Sequence, residues 1–107
     1  MANTFKNAFV TVGATATTLY TVPAATTSVI SGLTVANIDG TIAYNVTIEV
    51  TDTSAAATYK LLDQQSIAAK ESLIWPKNIY LEATDVLKIT SSDASKLEAS
   101  AFVLEMT

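Results

Sequence analysis

Apolar and polar residues alternate most regularly over residues 41–51, TIAYNVTIEVT. Ile42, Tyr44, Val46, Ile48 and Val50 take one side, and Ala43, Asn45, Thr47, Glu49 and Thr51 take the other. A period of two sends successive side chains to opposite faces of an extended chain, so this segment is predicted to be a strand with one dry side. Asp39-Gly40 lies just before it, a dipeptide that favours tight hairpins because glycine tolerates positive φ. The expected partner across that hairpin is SVISGLTVAN, residues 28–37, with Val29, Leu33 and Val35 inward.

Comparable short segments rich in Val, Ile, Thr and Tyr recur at 5–12, 18–22, 58–62, 72–75, 78–82, 86–91 and 96–106. Branched and aromatic side chains pack well on a pleated surface, and turn residues separate these segments: Pro23-Ala24, Pro76-Lys77-Asn78, Ala83-Thr84-Asp85 and Ser92-Asp93-Ala94-Ser95. Residues 63–73, DQQSIAAKESL, also fit two or three helical turns capped by Asp63 or Ser66. The expected fold is all-β: a single antiparallel β-sandwich, jelly-roll-like, of about eight to nine short strands, filling 1–107 as one domain.

The two outermost strands break the one-face rule. Leu97, Ala99, Ala101 and Val103 form an inner set, yet Phe102, Leu104 and Met106 line the opposite side. In the first strand, Phe5 and Phe9 oppose Ala8, Val10 and Val12. One explanation is a bulge that switches the inward face, or a position where two sheets meet. The other is contact with another subunit. Leaving Phe102, Leu104 and Met106 in water forgoes roughly 1.5–3 kcal/mol each, against a whole-domain stability of roughly 5–15 kcal/mol. The candidate subunit-interface residues are therefore Phe5, Phe9, Phe102, Leu104 and Met106, joined by the amphipathic rings of Trp75 and Tyr80, a type that interfaces favour. Trp75 and Tyr80 also admit burial, or stacking on a sugar ring.

Composition narrows the chemistry. The 107 residues include no Cys, His or Arg, which removes thiol and imidazole nucleophiles, His/Cys metal clusters and the guanidinium fork. Six Lys against ten acids give a net charge of −4, the wrong sign for gripping phosphates, so no nucleic-acid partner is expected. Half the residues are hydrophobic, but no apolar run reaches the roughly eighteen residues of a membrane span, so no membrane partner is expected. MANTFKNAF lacks the basic start and apolar run of a secretory signal, and synthesis in the cytoplasm is the reading. Charged residues make up only 15%, below the usual quarter or so, so some of the surface is expected to be covered by another protein.

The remaining catalytic route is a carboxylate pair. Glu82 with Asp85, or Asp52 with Asp63, would have to converge in a cleft, but strand ends ordinarily carry solvated acids, as Asp39 does in its turn. No Gly-rich phosphate loop, GxSxG or SxxK pattern occurs, and no run of alternating acids offers the six to eight oxygens of a Ca²⁺ loop, which leaves only a surface site shared between turns. The expectation is no enzyme, no cofactor and no metal.

Taken in order, LYTVPAATTSVISGLTVANIDGT, VTIEV, SIAAKESL, NIYLEATDVLKITSS and KLEASAFVLE resemble a group of small tailed-phage virion proteins. Their pattern runs LYTVPAG, a strand ending in VAN, a small-residue turn, alternating valines, LEAGD and a closing VLE strand. The resemblance covers about residues 19–105. Ala25 and Thr84 stand where that pattern has glycine, and because Thr resists positive φ the 83–85 turn is expected to be type I. The resemblance implies a non-enzymatic β-sandwich carried in many copies on a virion. A capsid decoration or cement protein is the first expectation, as a homo-oligomer (trimer or ring) seated on other virion proteins such as the major capsid protein. A neck, tail or baseplate subunit is the alternative, and a glycan-binding sandwich for host attachment, using Trp75 or Tyr80, is a further one.

Overall fold

The computed structural model describes residues 2–107. Nine strands follow one another: β1 (Asn3–Thr11), β2 (Thr17–Thr21), β3 (Thr27–Asn37), β4 (Tyr44–Asp52), β5 (Ala57–Ile67), β6 (Ser72–Ile74), β7 (Ile79–Leu81), β8 (Val86–Ser91) and β9 (Leu97–Met106). All pairings are antiparallel. One sheet runs β1-β9-β3, with β6 and β7 sharing the far side of β3; the other runs β2-β8-β4-β5. This is the strand order of an eight-stranded jelly roll whose sixth strand is interrupted by Trp75-Pro76-Lys77-Asn78. Pro76 cannot donate to a ladder, which accounts for the break.

The core lies between the sheets and obeys the period-two rule. β9 turns Leu97, Ala99, Ala101, Val103 and Glu105 inward, β4 gives Val46 and Ile48, and β8 gives Leu87 and Ile89. In β3 the inward set is Ile30, Leu33 and Val35. Val29 was expected inward with them, but the register slips between Ile30 and Gly32, and that extra residue turns Val29 outward. β1 and β9 pair without interruption from Asn3↔Met106 to Thr11↔Glu98. A bulge therefore does not explain the two apolar faces of the terminal strands.

Three further expectations change. Asp39-Gly40 does not form a hairpin: residues 38–43 carry the chain from one sheet to the other, and Gly40 has no positive φ. The Asn37 side chain holds this crossover by donating to the carbonyls of Ile42 and Ile67, both at 2.9 Å, while Asp39 accepts from Ile42 N at 3.0 Å. Ile42 consequently falls outside β4 and is exposed. Residues 63–67 complete β5, and no helix forms among the described residues; two register irregularities against β4 and a positive φ at Gln64 take up the residues that do not fit the ladder. Finally, Thr84 adopts φ 69° and Ala25 φ 55°, so both turns keep a glycine-like backbone without glycine.

Candidate functional site

The alternation that fills the core leaves an unusual residue set on the outer face of the β1-β9-β3 sheet. Strand register aligns Phe5, Leu104, Val29 and Tyr80 in one row across four strands. A second row holds Phe9, Ser100, Thr34 and Ile74, and between them Phe102 lies beside Asn7 and Gly32. The Phe9 and Phe102 rings meet edge to face, centroids 6.4 Å apart. A Cβ built on Gly32 would stand 3.0 Å from Cδ2 of Phe102, so the ring leans over the bare glycine. Ser31 fixes the bulge below it, its hydroxyl donating to the Phe102 carbonyl at 3.2 Å. Beside Phe9 the face sinks into a groove of 410 Å³ floored by Thr34, Ala36 and Ser100 and ending at Glu98.

These side chains are bare. Phe5 is 85% exposed, Tyr80 75%, Ile74 71%, Phe9 66% and Phe102 48%. At about 200 Å² per ring the four aromatics alone offer roughly 550 Å², and one side of a standard protein interface is about 800 Å². The outward positions of this sheet include a single charge, Glu98, which accepts from Thr11 Oγ1 at 3.5 Å. The opposite sheet has an ordinary solvated exterior, where Lys60, Glu49 and Lys88 line up across three strands. Antiparallel sandwiches normally show water a polar face on both outer sides, and only one side here does so.

Phe5, Phe9, Phe102, Leu104, Met106 and Tyr80, named from sequence, all fall on this face. Trp75 does not: it is half-buried against the core, and its backbone N–H donates to the Leu33 carbonyl at 2.9 Å. Val29 and Ile74 belong to the face and were missed. Val29 is hidden by the β3 bulge, while Ile74 could have been read from the short Ser72–Trp75 strand, where it alternates with Leu73. Tyr80 is exposed on the sheet surface beside Val29, which in turn neighbours Leu104.

Other polar clusters have evident structural work. Glu105, buried on the inner side of β9, pairs with Lys6 Nζ at 3.0 Å and accepts from the Tyr20 hydroxyl at 2.5 Å; Tyr20 in turn meets Ser28 Oγ at 2.8 Å. This chain of contacts ties β1 and β9 to β2 and β3 across the open seam of the sandwich. The Tyr20 hydrogen bond, supported by Lys6, holds the Glu105 carboxyl below its ordinary range against the opposing effect of burial. Burial, then the hydrogen bond to Glu105, pushes the Tyr20 hydroxyl up to about 12. Asp52 and Asp63 do not converge, since Asp63 lies with Lys60 at 3.5 Å. Asp52 instead joins Glu82 and Asp85, with carboxylate oxygens within 4.8 Å. Asp85 accepts backbone N–H groups of Glu82 and Thr53 at 2.9 and 3.2 Å, and Asp52 accepts from Ser54 Oγ at 2.8 Å, which are the bonds of paired turns.

No family model matches the sequence, and no curated protein does. Solved structures share the fold. A chain of the disulfide-linked pili that form Bacillus endospore appendages superposes with TM-score 0.62 at 15% identity, covering 99% of this chain and 87% of that one. A chain of the acid-stable capsid of Helicobacter pylori bacteriophage KHP30 gives TM-score 0.59 at 12% identity, covering 100% and 89%. A chain of infectious bursal disease virus, Gx strain, gives 0.51 at 14% identity, covering 98% of this chain and 33% of the viral one. The jelly roll seen here is thus an architecture that also occurs in capsids and pili.

Proposed function

We propose that this chain is a non-enzymatic structural subunit of a tailed-phage virion, and within that class a capsid decoration or cement protein. The carrying observation is the outer face of the β1-β9-β3 sheet: a nearly uncharged surface with Phe5, Phe9, Phe102 and Tyr80 exposed is costly in water and suited to burial against a neighbouring subunit. The phage-like succession of strand ends in the sequence supports the same reading, as does a fold held in common with a phage capsid chain. The partners are sister copies and other virion proteins such as the shell protein, and the chain's place is the virion. A neck, tail or baseplate position is the second reading.

Measuring the abundance of the chain relative to the shell protein in purified particles tests the assignment. A decoration protein is present in numbers comparable with the shell protein. A few copies per particle would favour the tail axis, and complete absence from particles would remove the virion assignment.

A further inference from the structure

The sandwich has four edges, and three carry features that block the addition of another strand. The β6/β7 edge consists of two three-residue strands separated at Pro76. β2 is five residues long with an irregularity between Thr18 and Tyr20. β5 is twice irregular against β4 and carries Lys60 and Asp63. β1 is neither short, irregular nor interrupted by proline: it runs nine residues in unbroken register with β9. Its one charge, Lys6, is turned inward, a placement that guards an edge when the charge is bare, but here the ammonium is paired with Glu105 at 3.0 Å.

The backbone phase of this edge follows from its ends. Ala2 and Thr107 exchange both backbone hydrogen bonds, at 3.1 and 2.9 Å, and Val12 N donates to the Leu97 carbonyl at 2.8 Å. Even-numbered residues of β1 therefore bond to β9, and Asn3, Phe5, Asn7, Phe9 and Thr11 present their N–H and C=O groups to the free edge. Among the described residues β1 pairs with no other strand. NTFKNAFVT is also symmetric in pattern about its midpoint, with Phe at −2 and +2 and a small polar residue at either end.

We propose that two copies of the chain join β1 to β1, antiparallel, about a two-fold axis at Asn7. This axis pairs all nine residues and matches donor to acceptor at every free position. It sets Phe5 of each copy opposite Phe9 of the other, and Asn7 opposite Asn7. Aromatic cross-strand pairs are among the favourable ones in sheets. Pairing covers the flanks of Phe5 and Phe9 together with the free backbone edge of a largely exposed strand, while the outer faces of the rings stay on the sheet surface. Pairing also fuses the two apolar sheet faces into one continuous surface. The inference thus deepens the assembly reading by naming a second copy as the partner of the β1 edge, and it relies on that reading for the fate of the fused face.

The test is sedimentation of the full chain and two charge variants, with circular dichroism to verify folding. Both substituted positions are exposed, so the sandwich is retained. Phe5→Lys/Phe9→Lys places like charges opposite each other twice and weakens the dimer about 100-fold or more. Phe5→Lys/Phe9→Glu places opposite charges there and dimerises at least about tenfold more tightly than the double-lysine variant. Tyr80→Lys, on the far edge of the sheet, leaves the dimer intact. A parent chain that remains single, or two charge variants that behave alike, overturns the strand pairing. If Tyr80→Lys alone dissociates the dimer, the pairing is also wrong while the apolar face remains an interface.

Discussion

The Phe102 ring lies across Gly32, where an added Cβ would approach to 3.0 Å. Glycine at this point of β3 lets an aromatic from β9 lie flat on the sheet instead of standing off it. Gly32→Val should displace the ring and cost about 1–3 kcal/mol by overpacking. Most of that penalty should vanish in a Phe102→Ala background, as urea denaturation of the four proteins of a double-mutant cycle would reveal.

Core and face should separate cleanly. Ile48→Ala removes a fully buried side chain between the sheets and is expected to cost about 2–5 kcal/mol. Phe5→Ser, at an 85% exposed position, should change the stability of the isolated chain by no more than about 0.5 kcal/mol. Thermal unfolding of dilute protein measures both, and a large loss from Phe5→Ser would mean that the ring supports the fold.

Ala25 occupies a left-handed backbone position at φ 55°. Left-handed geometry costs a non-glycine residue roughly 1–2 kcal/mol, partly offset by the greater unfolded-state freedom of glycine. Ala25→Gly should therefore raise stability by about 0.5–1 kcal/mol. A lower urea midpoint for this variant would show that the turn bears no strain.

The Lys6-Glu105-Tyr20 contacts give stability two pH limbs. Because the folded Glu105 titrates lower than the unfolded acid, its contribution is complete above about pH 4.3 and is lost as pH falls through the folded value. Tyr20 titrates higher when folded, so its contribution is complete below the ordinary value of 10.0 and is lost as pH rises towards about 12. In urea midpoints measured against pH, Glu105→Gln should flatten the acid limb and Tyr20→Phe the alkaline one. An unchanged acid limb in Glu105→Gln would place the responsible carboxylate elsewhere.

Much of this fold was legible because period-two alternation is a local signal: β8 and β9 were read almost residue for residue, and β4 from Tyr44 onward, whereas Ile42, expected on its dry face, lies in the crossover. The two-sided character of β1 and β9 was equally visible, but the sequence left a bulge and a subunit contact both open, and only the unbroken β1-β9 register removes the bulge. What escaped the sequence were events depending on distant strands. The Asp39-Gly40 crossover is decided by which sheet receives β4 and by the Asn37 bonds, the β3 bulge by the need to place Ile30 and Leu33 against the opposite sheet, and Trp75 by its backbone bond to Leu33. At Thr84 the turn bonds of Asp85 outweigh the local preference against positive φ.

Electron cryo-microscopy of the proposed virion, with this chain traced in the map, measures most directly whether the outer face of the β1-β9-β3 sheet is an interface. The account predicts Phe5, Phe102 and Tyr80 enclosed beneath neighbouring subunits, with the Lys60-Glu49-Lys88 exterior turned to solvent. A particle in which those rings face open water while the charged sheet makes the contacts would contradict it.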